Sequence, residues 1–349
     1  MKAAGLIIRT ESPPNSEAPT KALRPAVTSV RSFFVRSHFP VPEVDRKEWR
    51  LVVEGEVRKG REFTYEDLER MSKVEIPATL ECAGNGRVGF KEHAKGELKW
   101  GIGAVGTTRW SGVPLAEVLE RVGLLKGASE VVAEGLDVGN VASSPEPLRF
   151  SRSLPLVKAL ARETLVALEM NGKPLPPEHG YPARLVVPGW YGVASVKWLT
   201  NIEVIDQPFT GHYQTDKYCY EWDRNGEVVR EPVTLQRVRA LITEPAPHQQ
   251  IPCGELTIRG VAWSGAAPIA RVEVCVGNAG WHEARLVGER KRHGWQWWEL
   301  ITRVHQPGGL ILRARATDLA GRTQPDRAEW NRLGYGNNAI HEVAIHIAS

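Results

Sequence analysis

Leu80-Glu81-Cys82-Ala83-Gly84-Asn85-Gly86-Arg87 ends an apolar, strand-like run in a turn that holds a thiol, two glycines and a guanidinium. Glycines in such a turn permit positive φ or the close approach of other groups. Arg87, five residues after Cys82, and the exposed amides of a turn favour the thiolate, the form that binds metals or attacks carbon. On residue type alone a cysteine at a strand end is more often a buried, inert thiol. Cys82 therefore needs support from the rest of the chain. Cys219, Cys253 and Cys275 have no comparable surroundings, and the four cysteines form no CxxC, CxxCH or metal-finger spacing. They read as single thiols and not as a disulfide framework.

Around this turn, residues 1–235 read as mixed α and β. Residues 1–45 are rich in Pro and polar residues and read as an extended arm. Trp49 to Gly55 reads as a strand, and Thr64 to Met71 as a short helix with Asp67 three residues after its cap. The clearest helix is expected to begin at Ser111. Pro114 suits its first turn, Leu115, Val118, Leu119 and Val122 share a face, and Gly123 ends it. Strands are expected at Glu130–Ala133, Thr164–Met170 (closed by Asn171-Gly172), Ala183–Val187 and Ser195–Val204.

Beyond the boundary near Glu231–Arg239 the texture changes. Leu256/Ile258, Val272/Val274/Val276 and Leu310/Leu312/Ala314 alternate with polar residues, at the period of half-buried strands. Six of the twelve tryptophans lie in this last third, enough aromatic area to core a small β-sandwich. The fold class expected is α+β: a mixed domain over residues 1–235, then an all-β, Ig-like sandwich over 236–349.

The 349 residues carry a net charge of +4, with 42% hydrophobic and 25% charged residues. Lys and Arg are interspersed with acids and form no stripe, which argues against a nucleic-acid partner but leaves room for a local anion pocket. No apolar run is long enough to span a bilayer. The N-terminal stretch lacks a signal-peptide core and a twin-arginine pair, so a cytoplasmic chain is expected, or a periplasmic one if an export signal preceded it.

Two further stretches pair imidazole with guanidinium near turns: Phe33-Phe34-Val35-Arg36-Ser37-His38, and His179-Gly180-Tyr181-Pro182-Ala183-Arg184. Such pairs suit an anion site, although an isolated one is more often a solvated loop feature. Lys197, in Ser195-Val196-Lys197-Trp198, is either a third cation of that site or a charge snorkelling from a strand.

At this point a resemblance emerges. Glu81 to Arg87, Lys99 to Gly106 and Arg109 to Leu115 resemble the molybdenum-binding core of the sulfite oxidase family. So do Glu169 to Arg184 with Lys197-Trp198-Leu199, and the arm around Phe34 to His38. Gly260 to Gly265, Trp330-Asn331 and Asn337 to His341 resemble the family's C-terminal dimerisation domain. The pieces run in order from about residue 5 to the end. The resemblance implies a molybdenum-molybdopterin cofactor with Cys82 as the protein's thiolate ligand and two more sulfurs from the pterin dithiolene. It implies that Phe34, Val35, Arg36, Ser37, His38, Asp137, His179, Arg184, Ser195, Val196 and Lys197 hold the pterin and its phosphate. It implies that Arg36, Arg87, Trp100 and Arg332 serve with Cys82 around a small anionic substrate. The reaction implied is oxygen-atom transfer, the metal taking two electrons that leave singly. With no haem-attachment motif in the chain, an external one-electron acceptor such as a cytochrome is expected, as is a homodimer.

Three departures from the family pattern stand out. Leu168 occupies the place, just before Glu-Met-Asn, where the family carries a tyrosine, which implies a drier pocket with one hydroxyl fewer. Arg332 and Leu333 are exchanged relative to the vertebrate order, which would turn the guanidinium away unless a loop compensates. Trp190 and Tyr191 stand where sulfite oxidases have small aliphatics, a variant closer to the sulfane dehydrogenase branch. The favoured function is oxidation of sulfite or a related sulfur compound. Its rivals are nitrate or sulfoxide reduction on the same fold, and a non-catalytic interaction protein whose site has decayed.

Overall fold

The computed structural model describes residues 5–348; residues 1–4 of the arm and residue 349 lie outside the described residues. The arm is not merely extended. Strands β1 (Ile7–Thr10), β2 (Asn15–Glu17) and β3 (Val35–Arg36) pair antiparallel. Buried Glu17 ties this sheet to the main body, accepting from the Gly101 and Gly103 N–H groups at 3.0 and 3.1 Å and pairing with Arg9. A buried carboxylate needs such donors, so the polar arm is folded down by its own acid.

The main body of the first domain comprises β4 (Arg50–Gly55), β5 (Arg61–Thr64), α1 (Tyr65–Glu69), β6 (Val74–Glu81), β7 (Val105–Pro114), α2 (Leu115–Val122), β8 (Glu130–Gly139), β9 (Leu148–Pro155), β10 (Leu165–Met170), β11 (Lys173–Pro174), β12 (Arg184–Val186) and β13 (Leu199–Ile205). One sheet runs β5-β4-β13-β8-β9, and the other β11-β10-β7-β6 with β12 paired to β10. Helix α1 starts in the expected capping box: Thr64 Oγ1 accepts from the Asp67 N–H, and the Asp67 carboxylate from the Thr64 N–H, both at 3.0 Å.

Two expectations for this domain fail locally. Helix α2 begins at Leu115 and not at Ser111, because Ser111 to Pro114 are still laddered to β10. Gly112 permits that contact: a Cβ there would lie 2.2 Å from the Val166 carbonyl oxygen. The apolar face Leu115, Val118, Leu119 and Val122 is buried as the spacing requires. Similarly, Ser195 to Trp198 are not strand. A 3-10 turn at Gly192–Ala194 and the positive φ of Trp198 (50°) delay β13 to Leu199, which leaves those four residues free to face inward.

After the hairpin β14 (Cys219–Arg224) and β15 (Glu227–Pro232), the rest is all β: β16 (Arg239–Glu244), β17 (Gln250–Pro252), β18 (Gly254–Trp263), β19 (Ile269–Val276), β20 (Trp281–Val287), β21 (Gln296–Val304), β22 (Gly308–Asp318) and β23 (His341–Ala348). Among the described residues these form one curled sheet, β16-β18-β21-β20-β19-β22-β23-β17. It folds over so that β16 also packs against β22 and β23, making a sandwich. The alternating residues Leu256, Ile258, Val272, Val274, Leu312 and Ala314 fill its interior with Trp298.

The two halves share a seam. Ala18, Leu23 and Val105 from the first pack with Leu241, Val261, Trp263 and Trp295 from the second. At its centre Glu81, 1% exposed, accepts from Arg239 Nη1 and Asn85 Nδ2 on one oxygen, both at 3.0 Å, and from Trp263 Nε1 at 2.9 Å on the other. Removing one partner of a buried ion pair strands the other charge, at a cost of about 3–5 kcal/mol. Arg239→Ala is therefore expected to lower the unfolding free energy by about that much in urea denaturation. A loss below about 1 kcal/mol, the range of an exposed pair, would show that Glu81 does not depend on this cation.

Candidate functional site

The turn after β6 brings Cys82 into a cleft enclosing about 660 Å³, part of it open to solvent, a size suited to a cofactor. Both glycines of the turn are needed. Gly86 has φ 80°, and a Cβ on Gly84 would lie 2.7 Å from the Arg87 guanidinium. The Cys82 N–H donates to the Ala104 carbonyl at 2.9 Å, and the Cys82 carbonyl accepts from Asn85 at 2.8 Å. The thiol is thus placed by backbone bonds on both sides. Burial pushes its pKa above the ordinary value, against the pull of Arg36, Arg87 and the Gly84 N–H. The cationic surroundings expected from the turn are present, but desolvation outweighs them for the bare thiol.

Opposite lies a set of cations held by neutral acceptors. Arg184 donates to the His179 and Ser195 carbonyls at 3.0 and 2.9 Å and stacks 5.0 Å from the Trp110 ring. Lys197 donates to Ser37 Oγ and the Glu178 carbonyl, both at 2.9 Å, over the Trp198 ring. Arg36 donates to Asn15 Oδ1 at 3.3 Å and to the Ser37 carbonyl. Carbonyls and hydroxyls orient these charges without cancelling them, which suits a phosphate. Burial drops Arg184 to about 9 and carries Lys197 well below its ordinary value, with Arg184 adding to the shift.

Asp137 projects from β8 into the same cleft. Burial raises it to about 6 against the pull of Lys197, and its Oδ1 has no hydrogen-bond partner. A buried acceptor left unmatched in a cavity is rare in folded proteins and marks a place for a donor-bearing ligand.

Ten of the residues named from sequence line this cleft: Phe34, Arg36, Ser37, His38, Cys82, Asp137, His179, Arg184, Ser195 and Lys197. Five do not. Val35 and Val196 are buried but do not line the cleft. Trp100 is 1% exposed and packs in the core beneath Cys82 with Phe33 and Leu80. Arg87 is held outside the lining by the Leu333 and Leu98 carbonyls. Arg332 is half exposed and bound to Glu221 at 2.8 Å, while Leu333 is the buried member of the pair. The loop does not compensate for the exchange of these two residues.

Leu168 also differs from expectation. It packs in the core, 1% exposed, and does not line the cleft. A phenolic hydroxyl in the cleft comes from Tyr218, which shares a 2.7 Å hydrogen bond with His38 Nε2. Burial pushes Tyr218 up to about 12 despite Arg36, so the hydroxyl stays protonated. Tyr218 was invisible in the sequence because its segment, Asp216-Lys217-Tyr218-Cys219, has no periodicity and the residue takes a positive φ of 54°. Phe150, stacked on His38 at 4.7 Å, escaped for the same lack of a motif.

Among the described residues no three His, Cys, Asp or Glu side chains converge as a metal cluster. A metal at Cys82 must therefore bring its other ligands with it, which a pterin dithiolene does. The model for the oxidoreductase molybdopterin binding domain matches residues 38–213, and that for the Mo-co oxidoreductase dimerisation domain matches 231–348. The chain is 36% identical to chicken (Gallus gallus) sulfite oxidase over 97% of its own length and 77% of that protein's. This chain belongs to the sulfite oxidase family of molybdenum-pterin oxidoreductases. The sulfane dehydrogenase SoxCD from Paracoccus pantotrophus superposes with a TM-score of 0.84 at 31% identity, covering 96% of this chain and 85% of that one. Inducible nitrate reductase [NADH] 1 of soybean (Glycine max) is 32% identical over 90% of the chain but only 39% of its own length. The chain spans 66% of the length of the mouse (Mus musculus) sulfite oxidase. The family's cofactor is molybdenum-molybdopterin, and the C-terminal sandwich is its dimerisation domain. No helix among the described residues is long and apolar enough to cross a membrane.

The depressed histidines of the cleft set a pH dependence. Burial, with Lys197 and Arg184, takes His179 down to about 3 when folded, against about 6.5 unfolded. Its contribution to stability is complete above about 6.5 and is lost as pH falls toward 3. Asp137, raised when folded, works the other way and favours the fold as pH falls through about 6. For the cofactor-free protein, His179→Gln should make the loss of stability between pH 7 and 4 shallower by about 1.4 kcal/mol per pH unit, one proton's worth. An unchanged slope in denaturant melts would contradict a neutral, buried His179.

Proposed function

We propose that this chain oxidises a small sulfur compound, sulfite or a relative, by oxygen-atom transfer at a molybdenum-pterin centre bound through Cys82. One observation carries the reading: Cys82 shares a single cleft with three cations held by neutral acceptors and with the unmatched carboxylate of Asp137. When bound, the cofactor supplies the oxygen-atom transfer and accepts two electrons. The chain's residues do the rest. Arg184, Lys197, Ser195 and His179 hold the phosphate end, and Asp137 meets the donor edge of the pterin. Arg36 and the Tyr218 hydroxyl orient an anion near Cys82, and Phe34, Phe150 and Trp198 keep water from the walls. The electrons pass to an external one-electron acceptor such as a cytochrome, and the second domain makes a homodimer.

The test is metal analysis joined to turnover. Protein expressed with a working cofactor pathway should hold one molybdenum per chain, and Cys82→Ser should lose most of it. Equal molybdenum in the two would end the assignment of Cys82. Anaerobic sulfite oxidation with a one-electron acceptor is expected, and nitrate reduction with reduced viologen is the rival that the soybean relative raises. Turnover of nitrate without sulfite would reverse the substrate.

Tyr218 gives a second prediction. A hydrogen bond to a charged group contributes about 1.5–3 kcal/mol, which corresponds to roughly 10- to 150-fold. Tyr218→Phe should lower kcat/KM by that range with molybdenum content unchanged. A loss under twofold would remove the hydroxyl from the substrate side.

A further inference from the structure

Arg87 lies in the turn that carries Cys82, yet every edge of its guanidinium is committed. Nε donates to the Leu333 carbonyl at 3.0 Å, Nη1 to the Leu98 carbonyl at 2.8 Å, and Nη2 lies 3.6 Å from Glu97 Oε2. The Tyr335 ring covers its face at 5.2 Å. The other oxygen of Glu97 pairs with Lys217, the residue before Tyr218. Arg87 and Glu97 are both largely buried, with 7% and 13% of their side chains exposed, so solvent screens the pair little. Arg239 is paired with Glu81, and Arg332 points away to Glu221 while Leu333 is buried. The Cys82 end of the cleft therefore keeps Arg36 on neutral acceptors, while one carboxylate partly cancels Arg87 and Lys217.

We propose that Glu97 is a specificity-determining residue, an internal counter-anion that holds down the positive field at the Cys82 end and selects a substrate of low charge over a dianion. The inference rests on the oxygen-atom-transfer reading and narrows its substrate to a singly charged or neutral sulfur compound. What tunes the field is the acid set beside Arg87. Coulomb energy scales with the ligand's charge. Removing Glu97 must then help a dianion twice as much, on a logarithmic scale, as a monoanion of similar size, and must leave a neutral ligand unaffected.

The experiment uses the molybdenum-loaded protein, so that the phosphate grip is filled, and measures binding of sulfate, nitrate and dimethyl sulfoxide by equilibrium dialysis with labelled probes at low salt. Glu97→Gln keeps the side-chain volume and removes the charge. Sulfate should tighten tenfold or more, nitrate by about the square root of that factor, and dimethyl sulfoxide by less than twofold. Sulfate binding within twofold of the parent protein, or equal tightening of all three probes, overturns the proposal. Should Glu97→Gln fail to load metal, Lys217→Gln decides, because it leaves Glu97 less compensated. Sulfate should then weaken at least threefold and nitrate less, and unchanged sulfate binding again overturns the idea. These are binding measurements, so they separate from turnover. Sulfite oxidation without the charge ratio removes Glu97, and the charge ratio without any sulfur oxidation removes the substrate class.

Discussion

The carboxylate of Glu81 is the constraint on which the rest of the molecule hangs. It is the residue before Cys82, it lies between the two domains, and it is removed from water. A buried carboxylate is tolerable only with strong donors, and its donors come from both halves: Asn85 from the first, Arg239 and Trp263 from the second. Satisfying Glu81 therefore fixes the end of β6, the angle of the turn and the seam between domains in one step. The glycine at 86 belongs to the same solution, because a Cβ there would lie 2.6 Å from Arg239 Nη2. Nearby, the Gln236 side chain donates to the Thr79 carbonyl and the Thr79 N–H donates to the His293 carbonyl, at 2.9 and 2.7 Å. The second domain thus holds the strand that presents the thiol, besides whatever it does in assembly.

With Cys82 placed, the cleft is organised by how its charges are balanced. At one end Arg184 and Lys197 hydrogen-bond to carbonyls and a hydroxyl and to no carboxylate, while Asp137 acts on Lys197 through space. Burial lowers both pKa values, and the rings of Trp110 and Trp198 supply part of the compensation. Gly180 makes the crowding possible: it has φ 104°, and a Cβ there would lie 3.0 Å from Arg184 Cβ and 3.1 Å from Lys197 Cβ. Such a site suits a phosphate. At the other end Arg87 meets a carboxylate, and its field is blunted.

Much of this was legible before any coordinates, for identifiable reasons. Glycine at 84 and 86 beside a thiol, and imidazole–guanidinium pairs near turns, are local signals of close approach and anion binding, and the fold brought those stretches into one cleft. Periodicity found α2 and the sandwich strands because one-sided burial imposes a period. It placed the start of α2 four residues early because Ser111 to Pro114 answer to a neighbouring strand, and no propensity encodes that. Trp100 and Arg87 were implied as substrate-side residues by the family resemblance and not by any local pattern. Trp100 packs in the core, and the Arg87 guanidinium is turned to the Leu333 and Leu98 carbonyls, outside the cleft lining. Tyr218 and Glu97 were missed altogether. Each lies in an aperiodic segment, and each matters through a partner far away in the chain, His38 for one and Arg87 for the other.

The exchange at Arg332 and Leu333 shows how a small difference in order becomes a difference in chemistry. Arg332 and Leu333 are the two central residues of a turn closed by the Gly334 N–H on the Asn331 carbonyl at 2.8 Å, and Arg332 is exposed while Leu333 is buried. Glu221 captures the guanidinium outside at 2.8 Å, and the buried Leu333 uses its carbonyl to hold Arg87. Moving one guanidinium out and pinning a second beside Glu97 act in the same sense, and both lower the positive potential around Cys82. They do so without touching the phosphate end, where Arg184 and Lys197 are unaltered. On the proposed reading the two ends of the cleft can therefore be tuned independently: grip on the cofactor through carbonyl-held cations, and choice of substrate through the acid set against Arg87.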